Sequence, residues 1–137
     1  MDLKHLSKII VEFYERLSSW EDSVVRDSGL STAQAHTIEI VGHAGPIKMK
    51  DLARKIGVTT GTLTVAVDRL EEKQLLVRKP CETDRRAFFI ELTPSGQAYF
   101  RQHHNFHIQM TQEIVADLTD EEQEVFGTLL EKMLKKI

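Results

Sequence analysis

Three groups of side chains have types and spacings with chemical consequences. The first is Asp84-Arg85-Arg86, in a polar stretch between the apolar runs Leu75-Leu76-Val77 and Ala87-Phe88-Phe89-Ile90. Arg86 there can reach into a narrow groove of enhanced negative potential, and Asp84 can pair with a neighbouring arginine and hold the loop in shape. The second is Thr60, Thr62, Thr64, Val65, Asp68 and Arg69, which lie apart from an inward face made by Leu63, Ala66, Val67 and Leu70. Threonine hydroxyls can meet phosphate, and threonine and valine methyls can contact the methyl of a thymine. The third is histidine. His103 and His107 are spaced to share one helix face, with His36 on an earlier segment. Joined by a carboxylate such as Glu21, these imidazoles can hold zinc tetrahedrally. The plainer reading is that they hydrogen-bond in a partly polar interior or sit exposed.

The elements that position these groups are legible from periodicity and caps. Leu3, Leu6, Ile9, Ile10, Phe13 and Leu17 recur at helical spacing, which predicts an amphipathic helix over residues 2–27. Ser31-Thr32-Ala33-Gln34 is a capping box that starts a second helix near Thr32, ending near Gly42–Gly45. Pro46-Ile47-Lys48 is an extended connector, a short strand in the layout. Residues 49–56 form a short helix, Gly57-Val58-Thr59 a turn, and Thr60 through Leu70 another helix packed on Leu52, Ala53 and Ile56. A hairpin follows, with Leu75–Lys79 and Ala87–Leu92 as its strands. Thr93-Pro94 caps a long helix to about Ala116, and Thr119-Asp120-Glu121-Glu122 opens a last one carrying Val125, Leu129, Leu130, Met133 and Leu134. The expected fold class is mainly α with a small β-wing (α+β).

The chain has 137 residues, enough for one compact domain, and a single cysteine, Cys81. No apolar run has the length of a membrane span and no signal-peptide core is evident, so a cytoplasmic location is expected. The lone thiol agrees with a reducing compartment, and no cationic helix terminus beside it lowers its pKa, so an inert thiol is expected. The formal net charge is −3, but residues 48–86 hold ten Lys or Arg against six acids and are +4, leaving −7 elsewhere. Phosphate attraction depends on where charge sits, because fields decay over roughly 8–10 Å at physiological salt.

A helix-turn-helix followed by a basic β-wing is a device for gripping duplex DNA, with one helix in the major groove and the wing beside it. The second helix of the motif is short of long basic side chains before Arg69, so few bidentate guanine contacts and more reliance on DNA shape are expected. The first and last two helices have apolar faces that the motif does not need. A two-fold homodimer would bury them and would match a pseudo-palindromic operator. No phosphate loop, nucleophile elbow or carboxylate pair supports catalysis. A winged-helix protein-interaction module is the rival from another class.

Asp51-Leu52-Ala53, Gly57-Val58-Thr59, Val67-Asp68-Arg69-Leu70-Glu71, Asp84-Arg85-Arg86 and Leu92-Thr93-Pro94-Ser95-Gly96 together resemble the MarR family of bacterial transcriptional regulators, over nearly the whole chain. The resemblance implies a single MarR-type domain over 1–137, with a winged helix-turn-helix at about 46–93 and dimerisation helices at about 2–27 and 94–137. It implies that the helix from Thr60 is the recognition helix and Arg86 the minor-groove arginine. The chain departs from the family at Gln74, where glycine is usual. Three stretches (His36–Gly42, Val58–Thr64 and His103–His107 with Met110) resemble the FabT branch, repressors of fatty-acid synthesis genes that respond to acyl chains on acyl carrier protein. That likeness implies an effector site, for an acyl carrier-borne or other small-molecule ligand, at His36, Phe100, His103 and His107 without metal. A more distant likeness to the family's zinc-sensing branch implies zinc at Glu21, His36, His103 and His107 instead.

Overall fold

Side-chain caps fix where the helices begin. In a computed structural model that describes residues 1–137, α1 (Leu3–Arg26) starts at Asp2, whose carboxylate accepts the His5 N–H at 2.7 Å. Ser31 and Gln34 form the reciprocal capping box of α2 (Thr32–Ala44), with bonds of 3.1 Å in both directions. The chain continues through β1 (Ile47–Lys48), α3 (Met49–Ile56), α4 (Thr60–Glu72), β2 (Leu76–Pro80), β3 (Phe88–Leu92), α5 (Pro94–Ile114) and α6 (Asp120–Leu134). Thr93 caps α5 by accepting the Gly96 N–H at 3.0 Å, and Thr119 with Glu122 forms the capping box of α6.

The short strand expected at the connector forms at Ile47–Lys48. It pairs antiparallel with β3 (Ile47 opposite Ile90, Lys48 opposite Phe89), so the wing is a three-stranded sheet of order β1-β3-β2. Two residues are too short for a periodicity signal, so the sequence shows a short extended strand but not its partner.

Two compact units are distinguished, Met1–His103 and His104–Ile137. The first holds one apolar core in which Ile38, Leu52, Leu63, Leu70, Leu76 and Ile90 are fully buried. Each such side chain contributes on the order of 1.5–3 kcal/mol relative to exposure. Gln74, where the family favours glycine, takes a positive φ of 60° at the turn into β2. The turn therefore keeps its left-handed form, and glutamine bears the strain. Its carbonyl accepts the Thr93 hydroxyl at 2.6 Å, and Gly96 passes so close that an added Cβ would lie 1.9 Å from the Leu75 carbonyl oxygen. These contacts seat the start of α5 against the root of the wing.

Within the second unit, the Gln123 amide donates to the carbonyls of Val115 (3.3 Å) and Leu118 (3.1 Å), closing the turn before α6. No α6 residue is buried, and Val125, Leu129, Met133 and Leu134 are exposed. In the first unit, α1 likewise exposes Leu3, Leu6, Ile9, Ile10, Phe13 and Tyr14 and buries only Val25. No helix is long and apolar enough to cross a membrane.

Candidate nucleic-acid interface

The inward face of α4 is Leu63, Val67 and Leu70, each at most 1% exposed, with Ala66 half-buried. This leaves Thr60, Thr62, Thr64, Val65, Asp68 and Arg69 exposed on the remaining surface. Thr59 caps the helix by accepting the Thr62 N–H at 3.2 Å. The Thr64 hydroxyl donates back to the Thr60 carbonyl at 2.7 Å, a bond that ties down its rotamer. Small side chains at these positions let a helix sit deep in a major groove.

Beside that surface, the wing loop is built around Asp84. Its carboxylate accepts the backbone N–H of Arg86 at 2.9 Å, and its carbonyl accepts the Ala87 N–H at 3.1 Å. The carboxylate was expected to meet an arginine side chain. It bonds the arginine's backbone instead, an Asx turn that shapes the loop and leaves both guanidinium groups outside any ion pair. Arg85 and Arg86 are exposed. Thr60 and Thr64 of α4 line the same cavity as Asp84 and Arg86, so the structure brings the helix and the wing to one surface.

Asp68, expected at the groove, is exposed but engaged. Its carboxylate accepts from the guanidinium of Arg78 on β2, which also lies 3.4 Å from Glu71 Oε1. The backbone N–H of Arg78 donates to the other Glu71 oxygen at 3.1 Å. Arg78 thus braces β2 against α4. In the sequence Arg78 stands out only as a charge, seven residues after Glu71 and inside β2.

The histidines differ in burial. His36 is exposed on α2. His103 is buried at 4% exposure, with Nε2 at 2.8 Å from Glu21 Oε1 and its ring stacked 5.8 Å from that of Tyr99. Phe100 packs on the core, meets the His43 ring edge-on at 5.0 Å, and lies where a Cβ on Gly42 would come within 2.2 Å of it. His107 lies one turn beyond His103 on α5 and is half-buried. Burial raises the Tyr99 pKa, opposed by the Ser28 hydroxyl and reinforced by the carboxylates of Glu21 and Glu39. At the base of the wing, Cys81 is buried, with Sγ at 3.2 Å from the Thr83 hydroxyl. Hydrogen bonds from the Thr83 side chain and backbone hold its thiol below the ordinary value, with burial opposing them. The lowering comes from this local hydroxyl and not from a cationic helix end.

A recognition helix with an exposed face of small side chains, set beside an arginine-tipped three-stranded wing, defines a winged-helix DNA-binding transcription regulator. The family model described as "MarR family" matches residues 30–88, from the start of α2 to the wing. Over those residues, the helix-turn-helix and the wing, the chain is similar to the MarR family. It is 26% identical over 125 residues to the HTH-type transcriptional regulator MhqR of Bacillus subtilis, covering 91% of this chain and 86% of that one. Its structure is similar to that of Streptococcus pneumoniae FabT in complex with DNA, at 26% identity and a TM-score of 0.89, covering 98% of this chain and 96% of the other. It is also similar to wild-type Escherichia coli MarR, at 27% identity and a TM-score of 0.76, covering 98% and 97%. The family and these relatives are regulators of transcription, not enzymes.

Proposed function

We propose that the chain acts as a homodimeric repressor that binds pseudo-palindromic, A·T-rich operators through α4 and the wing. The observation that carries this reading is the shared surface of Thr60, Thr64, Asp84 and Arg86, in which small side chains for a major groove adjoin an exposed arginine for a minor groove. The apolar faces left exposed on α1 and on α6 support the dimer, because patches of that kind on a soluble protein mark interfaces. Two copies would present two recognition helices to two half-sites.

The reading extends to the regulated genes and the signal. The likeness to FabT supports fatty-acid or other lipid synthesis genes as targets and an acyl chain on its carrier protein as effector. His36, Phe100, His103 and His107 are the positions proposed to respond to it, with no metal required. An effector changes DNA affinity only through its differential affinity for the two states of the protein. Genomic footprinting in the native host tests the proposal. Footprints over lipid-synthesis promoters are the expected result, and absence of any promoter footprint would overturn it in favour of a winged-helix protein-interaction module.

A further inference from the structure

Between the start of α3, the start of α4 and the wing lies a cavity of about 620 Å³, lined by Lys48, Met49, Lys50, Thr60, Thr64, Arg78, Asp84, Arg86, Ala87 and Phe88. Four of these residues are cations and one is a carboxylate. Asp84 Oδ1 accepts the Arg86 N–H at 2.9 Å, so this acid shapes the loop while keeping its charge. Arg78 is neutralised by Asp68 and Glu71. Lys48, Lys50 and Arg86 have no carboxylate within ion-pair distance, and all three are exposed. The Lys48 ammonium lies 5.9 Å from the centre of the Phe89 ring, which holds it near the sheet rather than adrift in solvent. The Lys50 side chain comes from the first turn of α3. Three cations outside any ion pair and the Thr60 hydroxyl therefore surround one concavity, with the Asp84 carboxylate as its one acid.

We propose that this cavity is a seat for the DNA backbone, in which Lys48 and Lys50 contact phosphate between the groove entered by α4 and the groove entered by the wing. The inference rests on the regulator reading and adds two residues to it. A phosphodiester is the ligand whose charge and oxygen acceptors match two ammonium groups and a hydroxyl, with Arg86 left to enter the minor groove. Its place between the helix and the wing is where the backbone must run if α4 and Arg86 occupy adjacent grooves of one duplex. Contacts of this kind carry no sequence information. They set register and contribute affinity that salt removes.

The test is the salt dependence of binding to two duplexes, one A·T-rich and one of mixed sequence, for the unaltered protein, the double variant Lys48→Gln with Lys50→Gln, and Lys50→Arg. Both lysine side chains are exposed, and equal thermal melting of the variants confirms that folding is retained. The slope of log affinity against log salt should become shallower by about 0.9 for each lysine lost per bound protomer, equally on both duplexes. Lys50→Arg, which keeps the charge, should retain the native slope, as should Lys136→Gln outside the cavity. An unchanged slope in the double variant would overturn the seat while leaving the regulator reading intact. A loss confined to one duplex would also overturn it, because it would make these residues base readers. If the unaltered protein binds neither duplex at any salt, the regulator reading itself fails, and the seat with it.

Discussion

The carboxylate of Asp84 accepts the backbone N–H of Arg86 at 2.9 Å, so the acid that shapes the wing loop aims its arginine without neutralising it. This relationship gives a prediction of unusual sign. Asp84→Ala removes a negative charge from the DNA-facing surface, and simple electrostatics would make binding tighter. If loop shape matters more, binding should weaken several-fold. Asp84→Asn keeps an acceptor oxygen for the Arg86 N–H and should bind at least as tightly as the native protein. Gel-shift titration of the three proteins on one duplex decides, and tighter binding by Asp84→Ala would remove the loop-shaping role.

Arg86→Ala should weaken operator binding by on the order of 1–3 kcal/mol, the scale of a well-placed base contact. Substitutions at Thr64 and Val65 should alter sequence preference more than total affinity, since neither carries charge and both are exposed on α4. Binding measured on a randomised duplex pool separates the two effects. Equal affinity of the Arg86→Ala protein for the operator would remove the wing from the mechanism.

Gln74 is the one non-glycine residue with positive φ, at 60°. Gln74→Gly should stabilise the fold by roughly 1 kcal/mol, because glycine escapes the left-handed penalty although it loses more freedom on folding. Gly96→Ala should do the reverse, since its Cβ would lie 1.9 Å from a backbone oxygen that cannot swing aside. Overpacking of that kind costs about 1–3 kcal/mol. Urea melts of the two variants should shift in opposite directions, and a destabilised Gln74→Gly would refute the strain.

Much of this architecture is legible in the sequence because caps and periodicity are local. Ser31 with Gln34, Thr93 before Pro94, and Thr119 with Glu122 fix three helix starts by short-range hydrogen bonds, and all three caps form. What stays hidden depends on contacts distant in sequence. The pairing of Ile47 with Ile90 makes β1, and the reach of Arg78 to Asp68 takes a carboxylate expected at the groove and makes it a brace. His36 shows the same limit. Its distance from the His103–His107 turn of α5 in sequence left their spatial relation open, and α2 turns it outward.

Deletion of residues 119–137 should abolish dimerisation and DNA binding together. The deleted segment contains α6, which buries none of its residues and exposes Val125, Leu129, Met133 and Leu134. A helix with that surface gains little from an isolated chain and much from a partner, at about 25 cal/mol per Å² of apolar area covered. Sedimentation velocity reads the first effect and gel shift the second. A truncated chain that still sediments as a dimer would place the interface elsewhere.

Operator affinity should be the same in excess chelator and after added zinc. His103 is buried with its Nε2 bonded to Glu21 at 2.8 Å and its ring stacked on Tyr99, so its polar edge is satisfied by protein groups. His36, the residue proposed alongside it in a zinc set, is exposed on α2. His103→Ala should therefore act through stability. It removes a buried ring that stacks on Tyr99 and bonds Glu21, a loss that a urea melt would register with or without chelator. Under the zinc reading the same variant would lose stoichiometric metal binding and metal-dependent DNA affinity, while the chelated proteins would behave alike. A tenfold or greater rise in native operator affinity on adding zinc, roughly 1.4 kcal/mol of coupling, would falsify the metal-free reading and make this chain a metal sensor.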